Sequence, residues 1–174
     1  MTGTGKIHIY YGNGKGKTTA AVGQIIRAAG SGLRVLVFQF LKDNSSSERV
    51  ILEQIPNITC LPGREKIKFF NQMNGEEKAE LKHYNTKALD EIVKFCTNFD
   101  VLVLDEALCA IHLNVLSEEK IRSFLEHKPR GLEVILTGHE VSQDMLDLAD
   151  YATMMMKVKH PYDRKVMARE GIEF

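Results

Sequence analysis

A chain of 174 residues, 44% hydrophobic and 26% charged, can bury a sizeable core and has the make-up of an ordinary soluble globular protein, so a single domain over residues 1–174 is expected. Basic and acidic residues number 23 each, and this zero balance argues against a broad nucleic-acid footprint while leaving room for a local basic pocket. No N-terminal apolar run resembles a signal peptide and no apolar stretch could span a bilayer, which predicts a cytoplasmic protein.

Residues 1–5 form a short flexible lead, and residues 6–10 read as a buried strand. The next stretch, Tyr11-Gly12-Asn13-Gly14-Lys15-Gly16-Lys17-Thr18-Thr19, is a glycine-rich turn opening a helix over residues 20–29. Strand, turn and helix in that order are the setting of a phosphate-binding loop. Glycines let the backbone approach an anion closely, and the turn's N–H groups and the positive helix end face it. Lys17 adds a point charge and the Thr18 hydroxyl can ligate Mg²⁺. Gly12, Asn13, Gly14, Lys15, Gly16, Lys17, Thr18 and Thr19 are therefore the expected phosphate-binding residues. Tyr11 stands where the usual Gly-x-x-x-x-Gly-Lys-Ser/Thr pattern has its first glycine.

Gly30-Ser31-Gly32 stops the helix, and residues 34–40 form a nearly unbroken apolar run, as in a strand covered on both faces. Leu41-Lys42-Asp43 would then open beside the phosphate loop. A short helix is predicted over 48–54 and a third strand over 58–61, with an irregular stretch over 62–73 that carries Phe69 and Phe70. Asn74, with Glu77 three residues on, caps a long helix whose buried face runs from Leu81 to Cys96, with Asp90 and Lys94 as a solvent-side pair. Residues 100–104 form a central strand ending in Asp105-Glu106. Ser117 and Ser142 cap further helices, residues 131–136 form a fifth strand, and residues 151–156 form the last. Alternation of this kind predicts an α/β, P-loop NTPase-like fold with a largely parallel sheet of about six strands flanked by helices.

The acid pair Asp105-Glu106 falls at the carboxyl edge of the sheet, where ligands of open α/β sheets bind. One carboxylate can hold Mg²⁺ and the other can orient Thr18. A nucleoside triphosphate with Mg²⁺ is the expected ligand, with Lys17 and Glu106 as the expected catalytic residues. Cys60, Cys96 and Cys109 are odd in number and widely spaced, and read as free thiols.

The sequence resembles the ATP:corrinoid adenosyltransferases, enzymes of vitamin B12 synthesis. Residues 11–21 are similar to that family's Thr-Gly-Asn-Gly-Lys-Gly-Lys-Thr-Thr-Ala-Ala loop, and Gln39-Phe40-Leu41-Lys42 to its Gln-Phe-Ile-Lys. Val103-Leu104-Asp105-Glu106, Ile135-Leu136-Thr137-Gly138, Leu146-Asp147-Leu148-Ala149-Asp150, Val158-Lys159-His160, Ala168 and Gly171-Ile172-Glu173-Phe174 match later segments. The resemblance implies that Co(I) of a reduced corrinoid attacks the 5′ carbon of ATP and that triphosphate leaves. It also implies a homodimer and a flavoprotein reductant. The family carries an aromatic loop that helps remove the lower cobalt ligand. This chain has no tryptophan, and Phe69 and Phe70 are the counterparts in the irregular loop, with His139 in place of a family arginine. His160 falls in a matched segment but is not assigned as a cobalt ligand. Relatives often carry an N-terminal segment that lids the neighbouring site, where only a few residues precede the first strand here. Asp43 and Lys165 replace glycines, and a φ > 0 turn at Lys165 would be strained. Another phosphate-loop kinase or ATPase, and an ATP-dependent corrinoid carrier or sensor without chemistry, are the alternative readings.

Overall fold

The computed structural model describes residues 3–173, so Met1, Thr2 and Phe174 lie outside the described residues. Six strands alternate with helices: β1 (Ile7–Tyr11), α1 (Lys17–Gly30), β2 (Val35–Gln39), α2 (Ser47–Leu52), β3 (Ile58–Cys60), α3 (Gly75–Phe95), β4 (Val101–Asp105), α4 (Ala107–His112), α5 (Glu118–His127), β5 (Glu133–Thr137), α6 (Gln143–Leu148) and β6 (Tyr151–Met154). The sheet order is β3-β2-β4-β5-β1-β6, and every pairing is parallel. Parallel neighbours need crossovers, and the helices supply them on both faces.

Side-chain alternation sorts each strand between two layers. Val35, Val37, Val101, Val103 and Ile135 pack against Ala21, Ile25, Ala28 and Ala29 of α1. Leu36, Phe38, Leu102, Leu104, Val134 and Leu136 pack on the opposite face against α3, α4, α5 and α6, through Leu81, Leu89, Ile92, Leu108, Ile121, Phe124 and Met145. Strands β2 and β4 are buried at every position, which is why their sequences are apolar up to the last residue, Gln39 in β2 and Asp105 in β4. β6 differs, since all four of its residues are exposed at the sheet edge.

The helix starts follow the expected chemistry. Asn74 and Glu77 form a reciprocal capping box, each side chain accepting from the other's backbone N–H at 2.9 Å. The side chains of Ser117 and Ser142 accept from Lys120 N and Met145 N. Three details differ from expectation. α4 is an additional helix, six residues long, set directly behind the acid pair. Asp90 reaches across to Lys120 Nζ of α5 at 2.9 Å, rather than along its own helix to Lys94. Asp100 lies just before β4, where its carboxylate accepts from Arg34 N at 2.9 Å.

Candidate functional site

The site lies at the carboxyl edge of the sheet, where β1, β2, β4 and β5 end side by side. Tyr11 is the last residue of β1, paired with Met154, so the position that usually holds a glycine belongs to the strand here. The turn begins one residue later. Gly12 has φ 108°, and a Cβ there would sit 2.5 Å from Met155 O. Gly14 carries no positive φ, but its Cβ would meet the same carbonyl oxygen at 2.7 Å. The loop is pinned by Gly12 N donating to His139 O at 2.9 Å and Gly14 N to Met155 O at 2.7 Å. Asn13 Oδ1 accepts from Lys157 N at 2.9 Å. Gly16, also at φ 108°, turns the chain into α1, whose first N–H groups have no intrahelical acceptor.

Above this loop is a cavity of about 290 Å³ walled by residues 13–17, His139 and the C-terminal segment from His160 to Glu173. Lys17 is buried and its Nζ donates to Gly14 O at 2.7 Å, which holds the ammonium over the turn. Gly12 acts behind the wall, and Thr19 is exposed on α1. The Thr18 hydroxyl points to the acid pair, donating to Asp105 Oδ1 at 3.0 Å.

Asp105 is almost fully buried and its carboxylate is saturated. Oδ1 accepts from Thr18 and from Thr137 Oγ1 at 2.7 Å, while Oδ2 accepts from Gln39 Nε2 at 3.1 Å and Lys42 Nζ at 2.9 Å. A carboxylate offers about four lone-pair sites, and all are taken. Burial alone would raise its pKa, but the Lys42 ammonium and the hydrogen bonds from Lys42, Thr137 and Gln39 outweigh burial and hold it below the ordinary carboxylate value. The same pairing works in reverse at Lys42, where burial pulls the pKa down and the charges of Asp105, Glu48 and Glu106 lift it above the usual lysine value. Asp105 is thus the carboxylate that orients Thr18.

Glu106 takes φ 58° and is only half-buried. Its N–H donates to Thr137 Oγ1 at 2.9 Å, which fixes the turn from β4 into α4. Thr18 and Glu106, with Asp105 behind them, are hard oxygen donors of the kind Mg²⁺ takes. Among the described residues no group of three or more His, Cys, Asp or Glu could hold a metal alone. One hydroxyl and one carboxylate are donors that fit an ion keeping waters and phosphate oxygens.

Lys42, Gln39 and Thr137 were not singled out as site residues from the sequence. Leu41 at φ 57° redirects the chain after β2 so that Lys42 folds back on Asp105, and a leucine gives no sequence signal for that conformation. The signal that was present is the polar Gln39 and Lys42 at the end of an apolar strand.

A second cavity, about 520 Å³, is walled by Leu41, Lys42, Glu48, Phe69, Phe70, Leu81 and Glu173 among others. Phe69 is 78% exposed, whereas Phe70 packs partly on the core beneath Lys78, whose Nζ stands 4.6 Å from the ring centroid. His139 does not join this pair. It belongs to the wall over the phosphate loop, where its N–H donates to Cys109 Sγ at 3.2 Å. His139 stands apart from Phe69 and Phe70 because Gly138–His139 follows β5, and β5 ends beside β1. His160 also lines the loop cavity, its Nδ1 accepting from Tyr162 N at 3.2 Å. Lys165 occupies φ 60°, so the left-handed turn that favours glycine is present with a lysine in it.

The family model for ATP:corrinoid adenosyltransferase BtuR/CobO/CobP matches residues 3–174. A corrinoid adenosyltransferase of Salmonella typhimurium is 34% identical over 176 residues, spanning 98% of this chain and 86% of the relative. A corrinoid adenosyltransferase of Escherichia coli K12 is 32% identical over 178 residues, with the same coverage of 98% and 86%. Among solved structures, the second and third ATPase domains of EssC from Geobacillus thermodenitrificans superpose with a TM-score of 0.51 at 12% identity, over 96% of this chain and 35% of that one. That likeness concerns the fold, a phosphate-loop ATPase sheet. Sequence kinship over nearly the whole length goes further, and on it the chain belongs to the ATP:corrinoid adenosyltransferase family.

Proposed function

We propose that this chain transfers the 5′-deoxyadenosyl group of ATP to the Co(I) of a reduced corrinoid. Within this family, the observation that carries the reading is the shared wall at Glu173. Glu173 lines both the cavity over the phosphate loop and the aromatic cavity, which supports adjacent seats for a nucleotide and a larger second substrate. Co(I) contributes the electron pair of the new Co–C bond. The C5′–O bond breaks, and triphosphate leaves with the bonding pair. The nucleophile is the metal of the substrate, so no protein base is required.

The work left to the protein is alignment of the two reactants and stabilisation of charge on the leaving group. Lys17, the N–H groups of Asn13, Lys15 and Gly16, and the positive end of α1 suit the second task. Thr18 and Glu106 would hold Mg²⁺, with Asp105 orienting Thr18. The ion supplies further charge neutralisation at the triphosphate. Phe69 is the exposed aromatic that would meet the corrin face. The proposal includes a homodimer and a flavoprotein electron donor, which the family resemblance supports, and a reducing cytoplasmic setting, which three free cysteines support.

Lys17→Ala and Glu106→Ala test the site. Each is expected to lower the rate of adenosylcobalamin formation about 100-fold or more, with the thermal unfolding midpoint little changed. Full activity in both variants would remove the site assignment.

A further inference from the structure

We infer that Arg169 is a ligand of the triphosphate and that Glu173 is the internal anion it must release when the nucleotide enters; this rests on the ATP site proposed above. The C-terminal segment lies over the phosphate loop, and the residues that wall the cavity between them include Lys15, Lys17, Arg169, His139, His160 and one acid, Glu173. That carboxylate stands among three basic side chains, Lys15, Lys17 and Arg169. Arg169 grips it from two directions, with Nε and Nη2 donating to the two oxygens at 3.1 and 3.0 Å and the backbone N–H donating at 2.9 Å. These bonds, first from the side chain and then from the backbone, with the Lys15 charge adding, pull the Glu173 pKa down to about 2. It is anionic at any working pH.

A guanidinium fork fits phosphate oxygens as well as carboxylate oxygens. A triphosphate brings more charge and more acceptors than one carboxylate, so it competes for the same donors. An ion pair four residues apart whose arginine is mostly exposed is worth little as a staple. Its position gives it another use: Glu173 belongs to the walls of both cavities, so its departure from Arg169 alters the partition between nucleotide and aromatic seats.

The two members of the pair then have opposite effects on phosphate affinity, which a staple would not produce. Calorimetric titration of the full chain with inorganic triphosphate and with ATP, both with Mg²⁺, reads this directly. Arg169→Ala is expected to weaken triphosphate binding about 10-fold, with Arg169→Lys in between. Glu173→Gln is expected to tighten it about threefold or more, because a competing charge is removed. Unchanged affinity in Arg169→Ala, or weakening in both Arg169→Ala and Glu173→Gln, overturns the inference while leaving the ATP site in place. Failure of the parent reading looks different: the wild-type chain would bind neither ligand better than Lys17→Ala does, and both would fall.

Discussion

Gly12 has less latitude than its neighbours in the loop. Its φ of 108° is one that L side chains avoid, and the Met155 carbonyl fills the space a Cβ would need. Gly12→Ala is expected to destabilise the fold by about 1–3 kcal/mol and to weaken ATP binding, as read by thermal unfolding and titration. An alanine variant as stable as the parent would contradict the geometry. The glycines were legible in the sequence, but their crowding by Met155, just past β6, was not, because residues 154–156 are some 140 positions away. The thiols allow a second test at this scale. Burial pushes the pKa of Cys60 and Cys96 up, and burial together with the nearby Glu106 carboxylate pushes Cys109 up to about 12. Thiolate is the reactive form. All three should resist iodoacetamide at about pH 8 in the folded protein and react on unfolding, as counted by mass spectrometry. Fast modification of native Cys109 would refute its placement.

At the scale of elements, the strands are fixed at their N-terminal ends by carboxylates. Asp100 accepts from Arg34 N at the start of β2, and Asp150 accepts from Ile7 N and Lys6 Nζ at the start of β1. Both acids are held below the ordinary carboxylate value, Asp100 first by its bond from Arg34 N and Asp150 first by its bond from Lys6. A depressed folded-state pKa adds stability above the unfolded value of about 3.9, and that stability is lost as pH falls through the folded-state value. Urea midpoints should therefore fall as pH drops below about 4, and Asp150→Asn should flatten that fall while lowering stability at neutral pH. Midpoints that hold steady to pH 2 would contradict this. Of the elements, those with a cap or a long period were readable: α3 from Asn74 and Glu77, α5 from Ser117, and α6 from Ser142. α4 was not, because six residues, of which Ala107, Leu108 and Ala110 are buried behind the acid pair, make less than two turns and carry no capping side chain.

For the molecule as a whole, the parallel α/β order was legible because β2 and β4 are apolar at nearly every position and strands alternate with helices. The phosphate-loop half of the candidate site was legible with it, since a loop, a lysine and an acid pair fall at fixed places on such a sheet. The rest depends on contacts between distant segments. Lys42 reaches Asp105 through a left-handed Leu41, and the C-terminal segment folds over the loop to set Arg169 and Glu173 beside Lys15 and Lys17. No local pattern encodes either contact.

The central claim is that triphosphate held by this loop departs as cobalt captures the sugar carbon. Incubating the protein with ATP, Mg²⁺ and chemically reduced cobalamin, then measuring both products, tests it most directly. A light-sensitive alkylcobalamin formed in step with one inorganic triphosphate per corrinoid is the result expected. ADP or orthophosphate as the phosphate product, or tight corrinoid binding with no Co–C bond, would contradict it.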